Sequence, residues 1–118
     1  MPLYEQVVVA IRREVQEGRL ASGAALPSFR ALAADLRVSL ITVKRAYEEL
    51  EREGVIFRKQ GIGTFVAEAA LDRSHEAARR EALKLLEEAW NAARSGRWSA
   101  EEFLNHARET TAERETDA

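Results

Sequence analysis

Cysteine is absent from the 118 residues. That excludes disulfides, thiolate metal ligands and a cysteine nucleophile, and it suits the cytosol. No apolar run approaches the roughly 20 residues of a membrane-spanning helix. No charged segment followed by an apolar secretory core opens the chain, so a cytoplasmic location with no membrane partner is the expectation. The two histidines, His75 and His106, are far apart and belong to no organised ligand cluster, so no metal site is expected. No glycine-rich phosphate loop or catalytic triad is present. The adjacent pairs Glu87-Glu88 and Glu101-Glu102 point in different directions on a helix and read as solvated faces or salt-bridge partners. The chain therefore reads as no enzyme and calls for no cofactor.

A large charge of either sign is also missing, the net value being −2. The distribution is more informative than the sum. Residues 1–67 carry ten Lys/Arg against eight Asp/Glu, and residues 68–118 carry eight against twelve. The apolar content of 46% supports a core rather than disorder. A chain this short buries a limited share of its surface, so a partner subunit is a natural source of stability.

Helical periodicity begins at Tyr4 and runs to Gln16, with Val7, Val8, Ile11 and Val15 on one face and Pro2 suited to the start. Ala21-Ser22-Gly23 reads as a loop. Pro27 disfavours helix at Leu26, and Ser28 is a candidate cap for a second helix, Phe29 to Leu36, with Leu32, Ala33 and Leu36 inward. A third helix follows a short turn at Val38-Ser39 and ends near Gly54. Its residues Val43, Ala46, Tyr47 and Leu50 recur three and four apart and form a buried face. The opposite side is polar and basic near its start, as a helix entering the DNA major groove requires. Ser39 can cap it; Thr42 can cap locally or contact DNA; Lys44 points away from the apolar face; Arg45 can face DNA or pair with Glu48 or Glu49.

The period then changes. Val55 to Lys59 and Thr64 to Val66 are strand candidates joined by Gln60-Gly61-Ile62-Gly63. Such a hairpin beside a helix-turn-helix is a wing. Arg58 and Lys59 are placed to reach phosphates, and Gly61 and Gly63 let the tip approach a nucleic-acid backbone or enter the minor groove. From Glu68 the helical pattern returns. Leu71, Ala78, Ala82, Leu85, Leu86, Ala89 and Trp90 form an apolar stripe that Gly96 interrupts. Ser99 with Glu101 and Glu102 signals a further helix, whose contacts are Trp98, Phe103 and Leu104, with fraying expected from about Thr110. The expected fold is mainly α with a small β hairpin. A winged helix-turn-helix over residues 1–67 precedes a helical dimerisation hairpin over 68–118. The dimer contacts fall to Leu71, Ala78, Ala82, Leu85, Leu86, Ala89, Trp90, Trp98 and Phe103.

Several segments in this order carry a resemblance. They are Pro2-Leu3-Tyr4-Glu5-Gln6, Gly18-Arg19-Leu20, Leu26-Pro27-Ser28-Phe29-Arg30-Ala31-Leu32-Ala33, Val38-Ser39, Thr42 through Gly54, and Gly61-Ile62-Gly63-Thr64-Phe65-Val66. Over residues 2–67 the chain resembles the GntR-type winged helix-turn-helix of bacterial transcription regulators, and its short helical tail resembles the YtrA-like branch. The resemblance implies a homodimer on a palindromic double-stranded DNA operator, usually repressing nearby genes, and nucleoid-associated when DNA-bound. It implies DNA contacts by Arg30, by Ser39, Thr42 and Lys44 of the recognition helix, and by the wing at Gly61 and Gly63. The departure is Leu40-Ile41, where the family commonly has arginine followed by a small or polar residue. Leu40 removes a bidentate guanine reader and can contact a thymine methyl instead.

The candidate DNA surface is thus Arg30, Ser39, Leu40, Ile41, Thr42, Lys44, Arg45, Arg58, Lys59, Gly61 and Gly63. Two other classes of function fit a winged fold: a protein-interaction module, and an architectural DNA binder without sequence preference. An unidentified small-molecule effector is a further partner consistent with regulation, and the sequence names none.

Overall fold

The computed structural model describes residues 1–117, with side chains for 1–115. Helix α1, Leu3–Gln16, starts after Pro2 and buries Val7, Val8, Ile11 and Val15. Helices α2, Phe29–Leu36, and α3, Leu40–Arg52, each follow a serine cap. Ser28 Oγ accepts from the Ala31 amide, and Ser39 Oγ from the Thr42 amide, both at 3.1 Å. Each bond satisfies an amide that helix geometry leaves without a partner, worth about 1 kcal/mol. Helix α3 closes on Gly54, whose φ of 78° is left-handed. The amides of Gly54 and Val55 then reach the carbonyls of Glu51 and Leu50, both at 3.0 Å.

Strands β1, Ile56–Lys59, and β2, Gly63–Val66, pair antiparallel, with Ile56 opposite Val66 and Lys59 opposite Gly63. The hairpin has a second source of support beside the helices. Ala24 to Leu26 runs along β2: the Leu26 amide donates to Thr64 O at 2.8 Å, and the Val66 amide to Ala24 O at 2.8 Å. A bridge joins Ala25 to Phe65. This segment has no alternating pattern of its own, and its partner lies far along the chain, so its extended form was visible only as the effect of Pro27 on Leu26.

The core joins α1 and α3 with Ala33, Val55, Ile56, Val66 and Ala70. Val43, Ala46, Tyr47 and Leu50 are buried as their period predicts. Leu36 is not inward: it is 47% exposed, because α2 ends there and Ala33, with Leu32 beside it, supplies the packing. Three polar residues also enter this interior. Arg12 is buried on the apolar side of α1 and pairs with Glu53 just past the end of α3. Ser74 is fully buried and accepts from Gln16 Nε2 at 2.8 Å.

Helix α4, Ala70–Ser95, is continuous, and the chain divides inside it into two compact units, residues 1–78 and the remainder from Arg79. In the first unit its inward residues are Ala70, Ser74 and Ala77, while Leu71 is exposed and Ala78 half-buried. The covered side of the helix start thus carries small residues, and the leucine of the expected stripe points outward. In the second unit the chain reverses at Arg97, with φ 61°, one residue past the expected break at Gly96. Helix α5, Ala100–Asp117, opens with a reciprocal cap. Ser99 Oγ accepts from the Glu102 amide at 3.1 Å, and the Glu102 carboxylate accepts from the Ser99 amide at 3.4 Å. The helix continues through Thr110, where fraying was expected, to Asp117. Trp90 meets Phe103 with ring centroids 5.3 Å apart, and Trp98 stacks on His106 at 4.2 Å.

Candidate nucleic-acid interface

The site is built on α2, α3 and the hairpin. The core fixes α3 from behind: Val43, Ala46 and Leu50 have no exposed surface, and Tyr47 is held at both ends. Its ring and that of Phe29 meet in a T-shaped contact with centroids 5.1 Å apart, and its hydroxyl donates to Pro27 O at 2.8 Å. Burial pushes the Tyr47 phenol up to about 12, so it remains a neutral donor at physiological pH. The start of α2 is therefore tied to the middle of α3 through an aromatic contact and a hydrogen bond.

Arg30 is exposed on the first turn of α2. Ser39 is committed as a cap: besides the Thr42 amide, its hydroxyl lies 2.7 Å from the Thr42 hydroxyl. Both hydroxyls retain hydrogen-bonding capacity, but they are positioned first by the helix start. Leu40 and Ile41 project from the same turn, Leu40 partly and Ile41 largely exposed. Lys44 is exposed. Arg45 pairs with neither Glu48 nor Glu49; its guanidinium lies 3.9 Å from the centre of the Tyr4 ring. Glu49 instead pairs with Arg52. Burial raises the Glu49 carboxyl, but bonding and charge from Arg52, with help from Glu53 and Arg12, hold it below the usual carboxylate value.

On the hairpin, Arg58 and Lys59 are exposed, with the Arg58 guanidinium 5.0 Å from the centre of the Phe29 ring. The tip is ordered by the Ile62 amide bonding to Lys59 O at 2.9 Å. Gly61 and Gly63 have φ of 77° and 148°, values that L side chains rarely adopt. Phe57 and Phe65 stack at 5.7 Å behind the tip, which leaves Ile62 presented to solvent. Two further exposed groups carry no signal of their own in the sequence: Ile62, and Arg37 in the turn between α2 and α3. Arg37 adopts a left-handed φ of 55° where glycine or asparagine is usual, so its type was no turn signal.

The exposed cations Arg30, Arg37, Lys44, Arg45, Arg58 and Lys59 thus accompany a capped helix start and a narrow hairpin tip. Acidic groups interrupt them: Glu48 and Glu51 line an open concavity with Arg52 and Arg58. The expected dimer residues lie on α4 and near the start of α5. Leu85, Leu86 and Trp98 are 52%, 54% and 40% exposed; Ala82 and Ala89 are exposed, and Trp90 and Phe103 half-buried. Leu83 and Leu104 are further exposed apolar residues in this unit. Among the described residues no helix is long and apolar enough to cross a membrane.

The family of bacterial regulatory proteins called gntR matches residues 3–66. The transcriptional repressor YtrA of Bacillus subtilis is 41% identical over 69 residues, covering 58% of this chain and 53% of that protein. The chain spans about half the length of YtrA and a smaller share of several other curated relatives. A GntR family transcriptional regulator from Listeria monocytogenes has 28% identity and a TM-score of 0.69, with 92% of this chain and 95% of that chain covered. The AraR(DBD) structure in complex with operator ORE1 has 31% identity and a TM-score of 0.55, covering 57% of this chain and 82% of that one. These relatives are transcriptional regulators, not enzymes. Motif order, winged architecture and the matched residues agree, and the chain belongs to the gntR family of bacterial regulatory proteins.

Proposed function

We propose that the protein is a homodimeric transcriptional repressor that binds double-stranded DNA with inverted half-sites. The observation that carries this reading is the serine-capped start of α3, exposed beside Arg30, Lys44 and a glycine-hinged wing. In such a fold the recognition helix enters the major groove by its N-terminal turns. Arg30, Lys44, Arg45, Arg58 and Lys59 supply cations for phosphates and base edges, and Ser39, Leu40, Ile41 and Thr42 form the reading edge. Gly61 and Gly63 keep the wing tip slim enough for the minor groove. The binding of operator DNA by AraR(DBD), a structural relative, supports the same role here.

The second unit is the proposed subunit contact, since Leu83, Leu85, Leu86, Trp98 and Leu104 leave apolar surface uncovered within one chain. A twofold dimer presents two identical reading helices and so selects inverted half-sites. Occupying a promoter in this way excludes polymerase, which gives repression. The protein acts in the cytoplasm and on the nucleoid.

The test is selection of duplexes from a random pool at physiological salt. One inverted motif should be enriched. Arg30→Ala and Lys44→Ala should each weaken binding about tenfold and lower the salt dependence by about one counterion, as loss of a phosphate contact does. A folded dimer that enriches no motif would refute specific operator binding.

A further inference from the structure

Two residues at the start of α3 belong neither to the core nor to a polar reading surface. Ile41 is 77% exposed and Leu40 40%. The buried line of the helix passes through Val43, Ala46, Tyr47 and Leu50. At about 100° per residue, Ile41 lies nearly opposite that line, on the outward strip with Arg45 and Glu48. The turn carrying both residues is ordered, because Ser39 caps it and the Ser39 and Thr42 hydroxyls meet. Ile41 is largely in water and Leu40 only partly covered, so much of their apolar surface contributes little to the fold of the isolated chain.

Their neighbours along the chain define what could cover them. Exposed cations stand on both sides in sequence: Arg30 and Arg37 before, Lys44 and Arg45 after. The complementary surface is anionic at its rims and apolar at isolated points inside. The DNA major groove has that character, and its principal apolar group is the C5 methyl of thymine. We infer that Leu40 and Ile41 read thymine methyl groups, selecting A·T pairs where an arginine at Leu40 would select guanine. This inference rests on the DNA-binding reading above and specifies the bases that the start of α3 recognises.

The probe is the duplex enriched from the random pool, resynthesised with deoxyuridine replacing each thymine in turn. Deoxyuridine removes the methyl and keeps every base-pairing hydrogen bond. Wild-type affinity should fall about fourfold at one or two thymines in each half-site, the change expected for one buried methyl. Ile41→Ala or Leu40→Ala should bind the thymine and deoxyuridine duplexes equally at its own position. Both variants should keep the wild-type circular dichroism spectrum, since neither side chain belongs to the core. A specifically bound duplex with no sensitive thymine would overturn the inference. So would sensitivity that persists undiminished in both variants. Either result leaves the DNA-binding reading standing, whereas failure to enrich any duplex overturns that reading and the methyl readout with it.

Discussion

Arg12 and Glu53 form the buried ion pair that fastens α1 to the end of α3. Arg12 Nε and Nη2 donate to the two Glu53 carboxylate oxygens at 2.9 and 2.6 Å, and the side chains are 9% and 7% exposed. The Glu53→Gln substitution keeps the volume but leaves the arginine charge buried without its bidentate partner. Removing one member of a buried pair costs about 3–5 kcal/mol. The slight exposure, and the Glu49 carboxylate that also feels Arg12, place the expected loss near about 3 kcal/mol. A domain has only about 5–15 kcal/mol in total, so the variant should be measurably fragile. With an m-value of about 1.5 kcal/mol per M, the urea midpoint followed by far-ultraviolet circular dichroism should fall by about 2 M. Replacing both residues, Arg12→Met with Glu53→Leu, removes both desolvation penalties and should cost less than about 1 kcal/mol. A single variant within about 1 kcal/mol of wild type would refute the reasoning, as would a double variant no more stable than the single one.

Tyr47→Phe leaves Pro27 O without its donor and should destabilise by about 1–2 kcal/mol in denaturant titrations. The folded phenol titrates near 12 rather than 10, so its contribution is complete below pH 10 and declines as pH rises through about 12. Persistence of the whole alkaline decline in the Phe variant would show that another group causes it. In the second unit, Leu86→Glu should weaken self-association at least about tenfold, as truncation or charging of an apolar anchor does. Sedimentation equilibrium measures this, and unchanged association would remove Leu86 from the proposed interface.

The sequence by itself determined the features with local causes. Ser28, Ser39 and Ser99 mark helix starts because a cap bond spans only three residues, and Gly54 marks an end because the left-handed turn there suits glycine. The period of Val43, Ala46, Tyr47 and Leu50 fixed the buried face of α3, and with it which residues of that helix point outward. The tertiary structure alone decided what depends on partners distant along the chain. Arg12 is buried because Glu53 meets it across two helices, and Ala25 is extended because β2 offers an edge. Arg45 lies on Tyr4 rather than on a neighbouring glutamate because α1 packs beside α3. At the start of α4, Ala70, Ser74 and Ala77 are buried while Leu71 is exposed, a choice between faces that packing made. A local pattern can specify a helix and its candidate faces, but only packing selects which face is covered and which charges are brought together.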